Sequence, residues 1–378
     1  MLGTFGSRSL RIGLQLTCTV AALLVSSAVW ASSQDVNVSA SGTLEYRADI
    51  DVRVLHVRNG YGCLVDSPLY ETVDRADRTW DDDDLVLGLE LNGSAKAYPL
   101  EALGPPRFHV VNDVFGDVPV AVTFCPLCYS ALVFERPEVA GDVLTFATAG
   151  LYLRNLVMFD PSTLSLWQQL TGEPIAWLAD GPLGIDREPL ALIPADIVEY
   201  GEWKAAYPET LVYVDPTRRA ASDMRCSFPE LSLYGEIARG SVGRDIESPT
   251  IIDRRLPERE LVMGIVVDGQ AKAYAEARLD DLGIVNDLVG GESIAVFVDP
   301  VSRVIRFFNR SVGSRVLTFV RSGEQISDEE TGTHWSWDGI ALTGPLAGES
   351  LQEIPATPSY WFAWSEFYVG TELYEQPG

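Results

Sequence analysis

Residues Leu87–Pro99 read LGLELNGSAKAYP, and Met263–Ala275 read MGIVVDGQAKAYA. Gly88, Ala95, Lys96 and Tyr98 recur as Gly264, Ala271, Lys272 and Tyr274, all at an offset of 176. The match runs on in order. Val111-Asn112-Asp113 meets Val285-Asn286-Asp287, and Leu144-Thr145-Phe146 meets Leu317-Thr318-Phe319. Trp167 meets Trp335, Ile193-Pro194 meets Ile354-Pro355, and Trp203 and Tyr207 meet Trp364 and Tyr368. An unbroken order of matches predicts an internal duplication. What both copies keep belongs to the fold; what one alone keeps is a candidate site.

Within each copy the quoted stretch is an apolar run, an Asx-Gly pair and a second run, the pattern of a tight hairpin. Val118–Phe124 and Ser293–Val298 are further strands rich in Val and Ile. Arg303–Phe308 and Val316–Val320 form a second hairpin, matched in the first copy by Ala131–Glu135 and Val143–Ala147. Ala195–Tyr207 and Tyr360–Phe367 have the spacing of short helices ending near Pro208 and Gly370. The expected fold class is α+β, mainly β, with two tandem homologous β-rich domains. The expected division is a leader over residues 1–31, a first copy over 32–215 and a second, degenerate copy over 216–378.

With 378 residues and 47% apolar side chains, two cores are affordable and wholesale disorder is excluded. Arg8 and Arg11 precede an apolar run from Ile12 to Val29 that closes on Val29-Trp30-Ala31, the form of a cleavable signal peptide. A single N-terminal anchor is the alternative; both put the body outside the cytoplasm, periplasmic or secreted. No further membrane-spanning segment is expected. Net charge is −26, and −28 once the two leader arginines are removed. That excludes nucleic acid and anionic membrane surfaces as partners and leaves a protein or small-molecule partner open. Asp81–Asp84 lacks the spaced ligands and glycine of a calcium loop and reads as a solvated turn.

Cys125-Pro126-Leu127-Cys128 aligns with Asp299-Pro300-Val301-Ser302. The proline is kept and both sulfurs are lost. Three readings compete: a redox dithiol, half of a zinc or copper site, and a structural disulfide. A strand-length piece follows Cys128, which argues against the helix start of a thioredoxin fold. A disulfide across two residues closes a tiny loop and stabilises little by loop entropy. His109 and Met158 are also missing from the second copy, replaced by Gly283 and Ile326. Cys125, Cys128 and His109, with Met158 as a weaker fourth, would suit copper or zinc; core packing is the plainer reading of Met158. If the pair is redox-active, Cys125 and Cys128 are its catalytic residues. Cys63 and Cys226 are either equivalent positions or a disulfide across the copies. Asn112-Asp113 reads as a capped turn, and Trp167 and Trp335 as packing residues. No glycine-rich phosphate loop or Gly-x-Ser-x-Gly element is present.

Leu87–Tyr213 resembles the bacterial family catalogued as domain of unknown function 3179. The resemblance rests on Gly88 and Ala97-Tyr98-Pro99, on His109-Val110-Val111-Asn112-Asp113, on Pro119–Cys128 and on Ser165–Gly172. Tyr129-Ser130 departs from the small residue common after the second cysteine. The second copy resembles the family more weakly, through Trp335 and the Trp361–Tyr374 tail. The resemblance implies a secreted or envelope protein and supplies no activity. The expected function is an extracytoplasmic metal-binding or thiol-redox protein; the alternative is a non-enzymatic binding or scaffold module whose cysteines form only a structural disulfide.

Overall fold

Both Asx-Gly hairpins form as the sequence dictates. The computed structural model describes residues 43–181, 188–214, 217, 224–231, 233–234 and 253–375, so the leader expected over 1–31 lies outside the described residues. Leu85–Leu91 pairs antiparallel with Ser94–Pro99, and Leu261–Val267 with Gln270–Ala275. Asn92 and Gly93 have φ of 54° and 77°, and Asp268 and Gly269 have 47° and 77°. Two successive left-handed residues match the twist of the strands they join.

Gly88 and Gly264 are fixed by what lies on them. A Cβ at Gly88 would stand 2.3 Å from the Trp203 ring, and one at Gly264 would stand 2.2 Å from the Trp364 ring. Each indole donates through Nε1 to a threonine, Thr210 or Thr371, at 2.9 Å. The Trp residues sit on helices Tyr200–Ala206 and Trp361–Phe367. The helix expected over Ala195–Tyr207 is therefore half strand. Asp196–Glu199 pairs with Leu85–Gly88 before the chain turns helical, because Ile197 and Val198 suit the open edge of that hairpin.

Around these units each half builds three sheets of four or more strands and one two-stranded sheet, and the whole is mainly β. In the first half, Asp196–Glu199, Leu85–Leu91, Ser94–Pro99, Leu211–Tyr213 and Tyr70–Thr72 form one sheet. Leu192–Ile193, Ser130–Glu135, Val118–Cys125 and Val110–Phe115 form the second. The third has Asn155–Asp160 between Ser165–Gln168 and Ala147–Tyr152 at its centre. The second half repeats these with four strands apiece, the middle sheet running Ile284–Val289, Glu292–Val298, Ile305–Asn309, Gln352–Ile354.

Buried polar groups pin the layers together. Asn112 donates to the Phe146 carbonyl and accepts from its N–H, both at 2.8 Å; Asn286 makes the same pair with Phe319 at 2.8 Å. Lys96 pairs with Asp113 at 2.8 Å and Lys272 with Asp287 at 2.7 Å. Tyr98 and Tyr274 donate to the same two carboxylates. Asn112 and Asp113 thus lie within strand Val110–Phe115 and tie layers together, where the sequence predicts a capped turn. Cys63 and Cys226 are joined by a disulfide. Beyond it, Phe228, Leu231 and Tyr234 pack into the core of the first half's third sheet, so the described part of the joining segment is folded onto that half. No helix among the described residues is long and apolar enough to cross a membrane.

Candidate functional site: a buried dithiol on a polar network

Cys125 ends the strand Val118–Cys125 and is paired with Ser130, which opens the next strand. The four residues between them form the turn, closed by Tyr129 at φ 55°. Pro126 and Leu127 are exposed at its tip, whereas Cys125 and Cys128 are 2% and 0% exposed and carry free thiols. A turn between two strands gives neither sulfur a helix dipole. Whatever tunes them must come from side chains.

Those side chains come from strand Asn155–Asp160 and from the Gln168-Gln169 pair. Asn155 Nδ2 donates to Cys128 Sγ at 2.9 Å, and Ser130 Oγ lies 3.2 Å from it. The orientation of the Asn155 amide is dictated by its other end. Oδ1 accepts from the Leu170 backbone N–H at 3.2 Å, a group that can only donate, and from Gln168 Nε2 at 2.5 Å. The NH2 must therefore face the sulfur. Asn155 also donates to Gln169 Oε1 at 3.0 Å, and Gln169 Nε2 donates to Thr123 Oγ1 at 3.0 Å. Ser130 has one hydroxyl hydrogen to place between Gln169 Oε1, at 2.7 Å, and Cys128 Sγ. Rotation of that hydroxyl lets the network meet either a thiol or a thiolate.

The two sulfurs are consequently unlike. Burial pushes the Cys125 thiol well above its ordinary range, and the hydrogen bond to Cys128 adds to the rise. Burial opposes a charge on Cys128 as well. There, hydrogen bonds from Cys125, Ser130 and Asn155 outweigh it, and Cys128 titrates below the ordinary thiol range. Of the two, Cys128 gives up its proton the more readily and Cys125 holds its own, the asymmetry a nucleophilic dithiol requires.

Met158 is fully buried in the apolar cluster that also holds Cys125 and Cys128. His109 lies just before the neighbouring strand Val110–Phe115, where its carbonyl accepts from the Phe124 N–H at 2.9 Å. Its ring turns to Leu103, donating through Nδ1 to the carbonyl at 2.8 Å, and burial lowers its pKa to about 4. Among the described residues no group of three His, Cys, Asp or Glu side chains is placed to hold a metal. The structure thus brings together Cys125, Cys128 and Met158 and gives His109 a backbone partner of its own. Sequence reasoning missed Ser130, Asn155 and Gln169. The alignment of the two halves carried a signal, since Asn155 falls opposite Gly323 and Gln169 opposite Trp337.

No curated protein and no solved structure matches the chain. One family does match, and it matches through both halves, over residues 64–371, taking in the dithiol, its polar network and the helix Trp361–Phe367. The chain therefore belongs to the family described as Protein of unknown function (DUF3179).

Proposed function

We propose that this is an extracytoplasmic thiol–disulfide redox protein whose reactive pair is Cys128 and Cys125. The observation that carries the reading is the Cys128 sulfur, hydrogen-bonded by an Asn155 amide whose orientation Leu170 and Gln168 lock. A sulfur that served only in a structural disulfide would gain nothing from a locked donor. The Cys63–Cys226 disulfide supports an oxidising compartment, as does the apolar leader.

In the proposed step the Cys128 thiolate attacks one sulfur of a substrate disulfide. A mixed disulfide forms, and the leaving thiolate takes the proton of Cys125. Cys125 then attacks the Cys128 sulfur and releases the second substrate thiolate. The pair ends as a disulfide and the substrate as one thiol and one thiolate, the latter taking its proton from solvent, with electrons balanced. Run backwards, the same site oxidises a substrate dithiol.

A copper or zinc site is the second reading, favoured by Met158 in the same buried cluster as the two thiols. Its ligands would be Cys125 and Cys128 with Met158, and His109 only after its ring leaves Leu103. We also infer that the two halves are copies of one ancestral domain, over 32–215 and 216–378, of which only the first kept this chemistry.

Equilibration in glutathione buffers, with alkylated cysteines mapped by mass spectrometry, tests the redox reading. The Cys125–Cys128 couple is expected above the structural-disulfide range, which lies below about −300 mV. A potential inside that range sinks the redox reading, and copper or zinc co-purifying with the reduced chain would favour the second.

A further inference from the structure

The sulfurs that the redox reading needs are sealed by the other half of the molecule. Ala363 of helix Trp361–Phe367 is fully buried in the cluster around Cys125, Cys128 and Met158, with Phe362, Phe367 and Tyr368 packed against it. At the head of that helix the Tyr360 N–H donates to the Cys128 carbonyl at 2.8 Å, and the Tyr360 ring lies 5.7 Å from Tyr129. Along the same helix Arg154 of the first half stands over the Phe362 ring at 4.0 Å, near its start, and faces the Glu366 carboxyl at 3.7 Å, near its end.

These ties differ in kind from those holding the helix to its own half. Trp364 lies flat on Gly264, the Trp361 N–H donates to the Glu260 carbonyl at 2.8 Å, and its indole donates to the Asp253 carbonyl at 2.9 Å. Across the seam, by contrast, Arg154 Nε and Nη2 and both Glu366 oxygens have no hydrogen-bond partner. A seam of apolar contacts, one backbone hydrogen bond and a loose ion pair is the weaker of the two and opens first. Opening is also required, because an incoming disulfide must approach a sulfur that is 0% exposed.

We propose that helix Trp361–Phe367 is the access element of the dithiol. Exchange with a protein disulfide proceeds through a state in which this helix, kept on its own half by Trp361 and Trp364, parts from the Cys125–Cys128 turn. The proposal rests on the redox reading for its purpose, not for its test.

The test uses the full, reduced chain. Labelling of Cys128 by a polymer-linked maleimide is followed beside hydrogen exchange at the Tyr360 amide. In the wild-type chain the labelling rate is expected to level off with reagent concentration, at the rate of opening. Above pH 8, where the Glu366 carboxyl, whose pKa burial raises to about 8, is charged, Arg154→Met and Glu366→Gln should each raise labelling and Tyr360 exchange together, by about tenfold, the effect of losing one part-buried ionic contact. Labelling at the speed of a free surface thiol, or labelling that changes while Tyr360 exchange does not, overturns the proposal. Should either variant fail to fold, the wild-type chain in sub-denaturing urea decides: a parallel rise of both rates supports the seam, and a divergence removes it. If labelling follows the helix but the couple sits in the structural-disulfide range, the redox reading fails and the access element stands.

Discussion

The turns Cys125–Cys128 and Asp299–Ser302 occupy matching places and are built alike. Each follows a central strand, keeps its proline and closes on a residue forced left-handed, Tyr129 at φ 55° and Arg303 at 59°. Their chemistry diverges at once. In the second turn Ser302 Oγ donates to Asp299 Oδ2 at 3.0 Å and the Val301 N–H donates to Oδ1 at 2.9 Å, so the side chains are spent on holding the turn. Both residues are half-buried. In the first turn the Cys128 thiol reaches the Cys125 carbonyl at a long 3.7 Å; both side chains are buried, and Cys128 lies on the Asn155–Gln169 network. The turn, then, is scaffold, and the sulfurs and their donors are an addition to it. A buried polar group with locked partners is costly to keep for packing alone.

The sharpest way to break that comparison is to move the cysteines. In a Cys125→Ser, Cys128→Ser background, Asp299→Cys with Ser302→Cys should give two thiols that alkylate with the pH dependence of ordinary cysteine, because Gly323 and Trp337 stand where Asn155 and Gln169 would be needed. A lowered thiol pKa at the transplanted pair, read from the pH dependence of alkylation, would show that the turn suffices and the network is irrelevant. A smaller effect separates the ion pairs that both halves keep. Lys96→Met leaves Asp113 without its cation in a site where its side chain is 7% exposed, against 16% for Asp287 opposite Lys272. Lys96→Met should cost about 3–5 kcal/mol and Lys272→Met clearly less, as read by urea unfolding. Equal costs would mean that the two sites are equally buried in solution. Smallest is Asn155→Leu. Loss of one hydrogen bond to a charged sulfur is worth about 1.5–3 kcal/mol, so the Cys128 pKa should rise by about one to two units, followed by the pH dependence of alkylation. An unchanged profile would detach Asn155 from the sulfur.

Much of the frame was legible because it is local. Asn92-Gly93 and Asp268-Gly269 need only their neighbours to specify a tight turn, and the strands on each side follow. Asp196–Glu199 was misread as helix because its strand character comes from pairing with Leu85–Gly88, more than a hundred residues earlier. The site divides in the same way. The two cysteines announce themselves by spacing. Their donors do not, since Asn155 is 27 residues from Cys128 and Gln169 is 39 from Ser130, on strands brought together only by the third sheet. His109 looked like a ligand because its type and its absence from the second copy fitted; the carbonyl of Leu103 gives it a different partner. The mate of Cys63 could not be read from sequence either, as it lies 163 residues away.

That long-range bond has a consequence for how the chain is made. Cys125 and Cys128 both lie between Cys63 and Cys226. A chain emerging N-terminus first offers Cys63 two wrong mates before the right one exists, and short loops close sooner than long ones. Pairing in order of appearance would consume the very thiols the site depends on. The finished arrangement, with two free sulfurs inside a closed loop, therefore requires oxidation delayed until the first half has folded, or reshuffling afterwards by an isomerase.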